Sequence, residues 1–128
     1  MLLEMDDNPV VDEASVPTWR YPDRPSAGRF EGIAQGSDVS FFVVDAAPGD
    51  GPALHRHPYS ETFVVQAGQV RFQVGERALD ATAGAVLVVP AGAAHGFLSL
   101  GPENLRMVAI HAAPRMETAW VDGDDESV

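Results

Sequence analysis

The 128-residue sequence contains no cysteine. Without thiols the chain forms no disulfide, zinc ribbon or iron–sulfur cluster, so any metal site must use nitrogen and oxygen ligands. The sequence also lacks an apolar run near the roughly 20 residues that a membrane helix needs, and its N-terminus lacks the pattern of a signal peptide. We therefore expect a soluble, cytoplasmic protein with no membrane partner.

Positive charge is scarce, because eight basic residues stand against nineteen acidic ones and the formal net charge is -11. Nine of the acids lie at the two ends, in residues 1–13 and 122–126, so the body between them is close to neutral. Acidic ends of this kind are typical of solvated tails. The lack of a basic face argues against nucleic acid as a partner.

A helical period is also missing before residue 115. From Gly28 onward, short apolar or alternating runs recur between glycine and proline turns, which predicts an all-β sandwich or barrel of antiparallel strands. A chain of this length fits one domain. The predicted strands are GRFEGIA, VSFFVVDA, PALHRH, ETFVVQA, QVRFQV, RALDAT, AVLVVP, HGFLSL and LRMVAIHA.

The ends of the chain differ from this body. Residues 1–27 carry four prolines and predict an extended N-terminal arm, residues 28–114 form the barrel, and residues 115–128 form an acidic C-terminal tail with a short helix or an edge strand. Trp19 and Tyr21 alternate within the arm. They either pin it to the barrel or to a second subunit, or they are exposed loop aromatics.

Three of the four histidines fall in one spaced pattern with a glutamate. On an extended strand His55 and His57 point to the same face, and Glu61 leads an alternating face with Phe63 on the next strand. His95 follows later at the start of another strand. Imidazole and carboxylate are ligands for divalent transition metals, so the pattern predicts a metal site.

Glycines and a proline frame these ligands. The first half reads G-x5-H-x-H-x3-E-x6-G from Gly49 to Gly68, and the second reads G-x5-P-x-G-x2-H-x3-S from Gly84 to Ser99. At Gly68 and Gly92 we expect tight turns with positive φ. With this frame the chain resembles the cupin superfamily, whose two motifs it matches at nine of ten signature positions. The departure is Ser99, where the family usually has asparagine.

The resemblance implies a small single-domain cupin of the type-2 conserved-barrel kind. Its fold would be a jelly-roll β-barrel, often a homodimer, that holds one divalent metal ion (Fe, Mn, Zn, Ni, Cu or Co) and no other cofactor. The implied ligands are His55, His57, Glu61 and His95. The position of Ser99 is not a metal ligand in the family.

Other residues have more than one interpretation. His111 shares an alternating face with Leu105, Met107 and Ala109, so it either lines the pocket as a partner of a ligand or caps the strand end in solvent. Glu61 could leave the metal and act as a base. Candidate pocket walls, which serve equally as core, are Phe42, Phe63, Phe72, Phe97 and Met107. Tyr59 could reach the rim, and Arg56 and Arg71 are expected to face outward.

Two function classes follow from such a site. The first is a metal-dependent enzyme that acts on a small oxygenated organic molecule, either as a dioxygenase or as a Lewis-acid isomerase or cyclase. The second is a non-catalytic barrel that binds or senses a small molecule. Residues 1–27 are too short and too rich in proline to form a DNA-binding helix-turn-helix, so a sensor of this kind would need a separate partner.

Overall fold

The structure, a computed structural model, describes residues 17–21 and 27–122 of the chain. In this part the regular elements are ten β-strands and one 3₁₀ turn, Gly32–Gln35. The strands are β1 Ala27–Phe30, β2 Ser40–Ala46, β3 His55–Arg56, β4 Glu61–Ala67, β5 Gln69–Val74, β6 Arg77–Thr82, β7 Val86–Val89, β8 His95–Ser99, β9 Leu105–His111 and β10 Ala119–Trp120.

The strands form two five-stranded antiparallel sheets. One has the order β1-β2-β9-β4-β7 and the other has the order β10-β3-β8-β5-β6. Strands that are consecutive in the sequence therefore alternate between sheets at several points, as in a jelly roll. The all-β prediction, with antiparallel strands in a jelly-roll barrel, is confirmed.

The core lies between the two sheets and follows from the alternation of the strands. Along β4 every second residue from Glu61 to Val65 is buried, and the same alternation holds along β9. Phe63 and Phe72 meet across the core with ring centroids 5.0 Å apart. Of the predicted pocket walls, Phe63, Phe72 and Met107 are fully buried, whereas Phe42 and Phe97 are partly buried against the core.

Several turns depend on glycine. Gly68 and Gly92 have φ values of 84° and 83°, as their positions in the sequence predicted. Gly51 matters for another reason, which the sequence did not indicate. A Cβ atom on Gly51 would lie 1.8 Å from the carbonyl oxygen of Phe97, so only glycine lets this loop approach β8.

Two predicted strands are shorter than expected. The run GRFEGIA is a strand only as far as Phe30, because the backbone at Gly32 packs against the carbonyl of Val39 and turns into the 3₁₀ segment. Within the run PALHRH only His55–Arg56 forms a β-strand. The residues before His55 form the loop that approaches β8.

The chain ends were predicted less specifically. Of the short helix and the edge strand considered after residue 114, the structure has an edge strand, β10, which pairs with β3. Trp19 lies against its own barrel, with ring centroids 5.4 Å from Phe30 and 5.6 Å from Phe41. The remainder of the arm and residues 123–128 lie outside the described residues. No helix of the described part is long and apolar enough to cross a membrane.

Candidate metal centre

The predicted site residues meet at one end of the sandwich, between the two sheets. His55 begins β3 and His95 begins β8, and these two residues are partners in the register of one sheet. Glu61 begins β4 and His111 ends β9, and these two are partners in the register of the other sheet. His57 lies in the segment that crosses from β3 to β4.

Four side chains offer ligand atoms that all lie within 4.8 Å of one another: His55, His57, Glu61 and His95. Each of them is at most 7% exposed. Glu61 Oε1 is 2.8 Å from His95 Nε2 and 3.1 Å from His57 Nε2. The structure therefore brings together the four residues that the sequence pattern selected.

Backbone carbonyls fix the orientation of the three imidazole rings. In each ring Nδ1 faces a carbonyl oxygen, which can only accept a hydrogen bond, so Nδ1 carries the hydrogen and donates. A neutral ring then has a lone pair on Nε2. The three pairs are His55 with Ala53 at 2.7 Å, His57 with Glu117 at 2.7 Å, and His95 with Ala93 at 2.9 Å.

These lone pairs create a conflict that a cation would resolve. His57 Nε2 and His95 Nε2 both lie close to Glu61 Oε1, and two electron pairs at this distance repel unless a proton or a metal ion lies between them. His57 Nε2 is buried and has no hydrogen-bond partner. The donor set, three imidazole nitrogens and one carboxylate oxygen, suits a divalent transition metal.

The protonation states agree with this interpretation. Burial alone would raise the pKa of Glu61, but contacts with His111, His57 and His95 outweigh it and hold the pKa far below the usual range, so the carboxylate is ionised. Burial lowers the pKa of His55 to about 4, which keeps this ring neutral at pH 7. An ionised carboxylate and a neutral imidazole are the forms that bind metals.

His111 lies in the pocket and not in solvent. It is 1% exposed, and its Nε2 atom is 3.0 Å from Glu61 Oε2. Its Nδ1 atom lies 2.7 Å from the hydroxyl of Tyr59. Of the two interpretations of His111, the structure therefore has the pocket position, beside a predicted ligand and outside the group of four.

Aromatic rings surround the centre. Phe63 packs beneath His95, Trp120 packs on His55, and Phe42 packs on His111, with ring centroids 6.1, 5.0 and 5.6 Å apart. Burial of Tyr59 raises the pKa of its phenol, so this group keeps its proton at neutral pH.

The predicted outward residues lie on the surface. Arg56 is exposed and donates to the carbonyl of Gly92, and Arg71 forms an exposed ion pair with Asp80. Sequence reasoning missed Glu117 and Trp120, which contact His57 and His55 from β10 and the segment before it. No motif marks them, since Glu117 acts through its backbone.

Comparisons with known proteins agree with this geometry. The family model described as "Cupin domain" matches residues 42–111, which is more than half of the chain and includes all four residues of the cluster and His111. No curated protein matches the chain at a significant level.

Solved structures with the same architecture are similar at low sequence identity. Oxalate decarboxylase from Bacillus subtilis, a protein with Mn(II) centres, matches with a TM-score of 0.69 and 19% identity over 81% of this chain, and the match spans only 30% of the decarboxylase chain. The decarboxylase from Lactobacillus farciminis gives a TM-score of 0.68 and 21% identity over 80% of this chain and 33% of its own. An uncharacterized protein with a double-stranded β-helix domain from Klebsiella pneumoniae gives 0.64 and 23%, over 88% of this chain and 96% of its own.

Proposed function

Because this chain belongs to the cupin family, we propose that it is a metal-dependent enzyme that acts on a small oxygenated organic molecule. The observation that carries the proposal is the buried cluster of three imidazoles and one carboxylate, in which the Nε2 atoms of His57 and His95 both lie within 3.1 Å of the same Glu61 oxygen. A backbone carbonyl holds each ring with its hydrogen on Nδ1 and its lone pair on Nε2. In the apoprotein this arrangement has a cost in free energy, because polar atoms without hydrogen-bond partners are unfavourable when buried. This cost is explained if a metal ion completes the cluster.

In this proposal each residue has a defined task. His55, His57 and His95 would hold one divalent ion (Fe, Mn, Zn, Ni, Cu or Co) through Nε2, and Glu61 would contribute a carboxylate oxygen. His111 Nε2 lies 3.0 Å from the second oxygen of Glu61. Glu61 is the carboxylate of the cluster that would serve as a general base toward a substrate if it were not bound to the ion.

The surroundings favour a partly apolar substrate with few charges. The walls are aromatic, and in residues 17–21 and 27–122 every arginine is exposed, so none of them is buried beside the centre to pair with a carboxylate. A dianion would therefore leave one negative charge unpaired in an apolar pocket, which is costly. We propose a neutral or singly charged ligand that binds through oxygen atoms.

Two reaction types suit four protein ligands with open positions. When bound, an iron or manganese ion supplies dioxygen chemistry, and a redox-silent ion supplies Lewis-acid polarisation of a carbonyl for isomerisation or cyclisation. In both cases this chain contributes a buried cluster with aromatic rings packed on its histidines. We further propose that the enzyme is a cytoplasmic homodimer whose other partner is the small molecule alone.

The test combines metal analysis with turnover. Elemental analysis of protein purified from its native host, and of apoprotein reloaded with single metals, should give about one ion per chain. His57→Ala and His95→Ala should lose most of that metal and its associated activity. Arg71→Ala changes an exposed ion pair with Asp80 that includes no residue of the cluster, and should retain both.

Oxygen uptake then separates the reaction types, with a panel of small enols, ketones and phenols as substrates. Uptake with iron or manganese supports a dioxygenase, and conversion with zinc but without oxygen supports the Lewis-acid reaction. Full metal content and full activity in both histidine variants would refute the proposal. Metal-dependent ligand binding with no conversion of any compound would instead support a binding or sensing barrel.

A further inference from the structure

The two sheets differ on their outer faces, which point away from the core. On the sheet that contains β5, β6 and β8, the outer face is polar, because Arg71 and Asp80 form an ion pair there and Leu98 is the next residue in the register. The outer residues of this sheet include Gln69, Arg71, Gln73, Ala78, Asp80, Thr82 and Leu98. This composition is typical of a sheet whose outer side is in water.

The outer face of the other sheet is apolar. The register aligns its outward residues in two rows across all five strands. From β7 to β1, the first row is Val88, Thr62, Ile110, Phe41 and Phe30, and the second row is Val86, Val64, Val108, Val43 and Gly28. None of these ten residues is charged, and Thr62 is the only one of them with a polar side chain. We call these ten positions the valine face.

The valine face is partly covered at one end and open at the other. Trp19, from the N-terminal arm, packs on Phe30 and Phe41 with ring centroids 5.4 and 5.6 Å apart. At the opposite edge Val86 and Val88 are 63% and 59% exposed. The edge strand β7 has the sequence VLVV, without the charged residues or prolines that usually protect a sheet edge. Exposed valines on an unprotected edge strand mark a site of association.

The size of the valine face suits the centre of a protein–protein interface. From the usual strand spacing and rise, two rows on five strands cover about 20 Å by about 14 Å, or about 300 Å². An interface of standard size buries about 800 Å² on each partner, and a polar rim surrounds its apolar centre. Asp45 and Arg106 are exposed, opposite in charge and paired in the register of β2 and β9, one outward position beyond the second row. They would form part of such a rim.

A second copy of this chain is the partner that fits this surface. A face without charge has no group that would pair with a charged partner, and the net charge of -11 opposes binding to an anionic membrane. Around a two-fold axis, the rows of one copy meet the rows of the other, so apolar side chains lie opposite apolar side chains over equal areas. Nine of the nineteen acids lie in residues 1–13 and 122–126, so the part of the sequence that forms the face is nearly neutral.

We propose that two copies of this chain associate through their valine faces, with the two sheets packed face to face. This inference rests on the homodimer of the proposed function and goes beyond it by naming the surface and its residues. The inner sides of β4 and β9 carry Glu61 and His111, so association would cover the back of strands that build the metal cluster. It contributes no residue to that cluster, and dimer formation can therefore be tested separately from metal binding.

The test compares one added charge on each outer face. Val88→Glu places a carboxylate within the valine face, and Leu98→Glu places one on the other sheet, where the side chain is also exposed, at 40%. Sedimentation velocity over a range of concentrations should give a dimer for the wild type and for Leu98→Glu. In Val88→Glu the dissociation constant of the dimer should rise about 100-fold or more, because a two-fold interface would bury two unpaired charges. The metal content of both variants should equal that of the wild type.

A second measurement uses the lack of cysteine in this chain and does not depend on the folding of a charged variant. Val86→Cys and Leu98→Cys each introduce a single thiol, whose rate of alkylation reports its exposure. As the protein concentration is raised through the dissociation constant, alkylation of Val86→Cys should slow in proportion to the fraction of dimer. The rate for Leu98→Cys should stay constant.

The outcomes separate this inference from the proposed metal site. A wild type that stays monomeric at high concentration overturns both the inference and the homodimer, and leaves the metal site standing. A dimer that persists in Val88→Glu, or that dissociates equally in Val88→Glu and Leu98→Glu, overturns the valine face alone. Alkylation of Val86→Cys that is slow at every concentration also overturns it, because another part of the same chain then covers the face. A wild type that dimerises as expected but binds no metal refutes only the metal site.

Discussion

The close approach of Gly51 to β8 leads to a quantitative prediction for Gly51→Ala. A Cβ atom at this position would lie 1.8 Å from the carbonyl oxygen of Phe97, with the Phe97 carbonyl carbon at 2.8 Å. An ordinary contact is 3.4 Å or longer, so the loop and the strand must separate by about 1.6 Å. Both contacting groups belong to the backbone, and no side-chain rotation can relieve the overlap.

The cost follows from what holds the loop to the strand. Two hydrogen bonds join them, from Gly49 N to the Ser99 carbonyl at 2.7 Å and from Ser99 N to the Asp50 carbonyl at 2.9 Å. Losing both costs about 2 kcal/mol, and the overpacking itself adds about 1–3 kcal/mol. We expect the free energy of unfolding to fall by about 3–5 kcal/mol and the melting temperature by about 10–20 °C.

The same change should weaken metal binding, since the loop leads into His55 and β8 begins with His95. Thermal unfolding by circular dichroism and Co²⁺ titration measure the two effects. Gly75→Ala is the control: Gly75 has a φ of 59° and open space around its Cβ position, so alanine there costs only about 1 kcal/mol of backbone strain. Equal melting temperatures for the two variants would show that the close approach is not the cause.

Two further predictions concern a buried hydroxyl and the effect of acid. Ser40 is fully buried and joins the Gly32 N–H to the Ala113 carbonyl, so Ser40→Ala should lower the free energy of unfolding by about 2 kcal/mol in urea titrations, and an unchanged midpoint would contradict this. In the apoprotein burial lowers the pKa of His55 from 6.5 to about 4, so between these values the unfolded chain binds a proton that the folded chain does not. Stability measured in urea with a chelator present should therefore fall by up to about 3 kcal/mol as the pH drops from 7 to 4, and His55→Gln should remove most of that dependence.

Part of the group that could hold a metal ion was predictable from the sequence, because strand alternation is a local property. His55 and His57 are two residues apart on extended chain, and Glu61, Phe63 and Val65 alternate into one face, so their common direction needs no knowledge of the fold. The turns at Gly68 and Gly92 could be predicted for the same reason, because a glycine at the end of an apolar run is also a local signal. Four residues form the group that can hold a metal ion, and they are the same four that lie within the motif of glycines and proline.

The orientation of these side chains could not be predicted, because it depends on contacts between distant parts of the chain. His111 meets Glu61 only through the register of β4 and β9, which alternation does not determine. From alternation alone, His111 could equally have capped the end of its strand in solvent. The approach of Gly51 to Phe97 likewise joins two segments whose relation appears only when the loop is placed on β8.

The residues that orient the cluster also differ in kind from those that could hold a metal ion. All four members of the cluster lie within the region that matches the family model, residues 42–111, whereas Glu117 lies beyond it. Glu117 acts through its N–H and carbonyl, so its own side chain is not required for the contact with His57. Its position depends instead on the pairing of β10 with β3 and on the bond from the Met116 N–H to Glu31. Substitutions that weaken this C-terminal pairing should therefore alter how firmly His57 is held while every ligand stays in place, an effect that a comparison of ligand residues alone would not reveal.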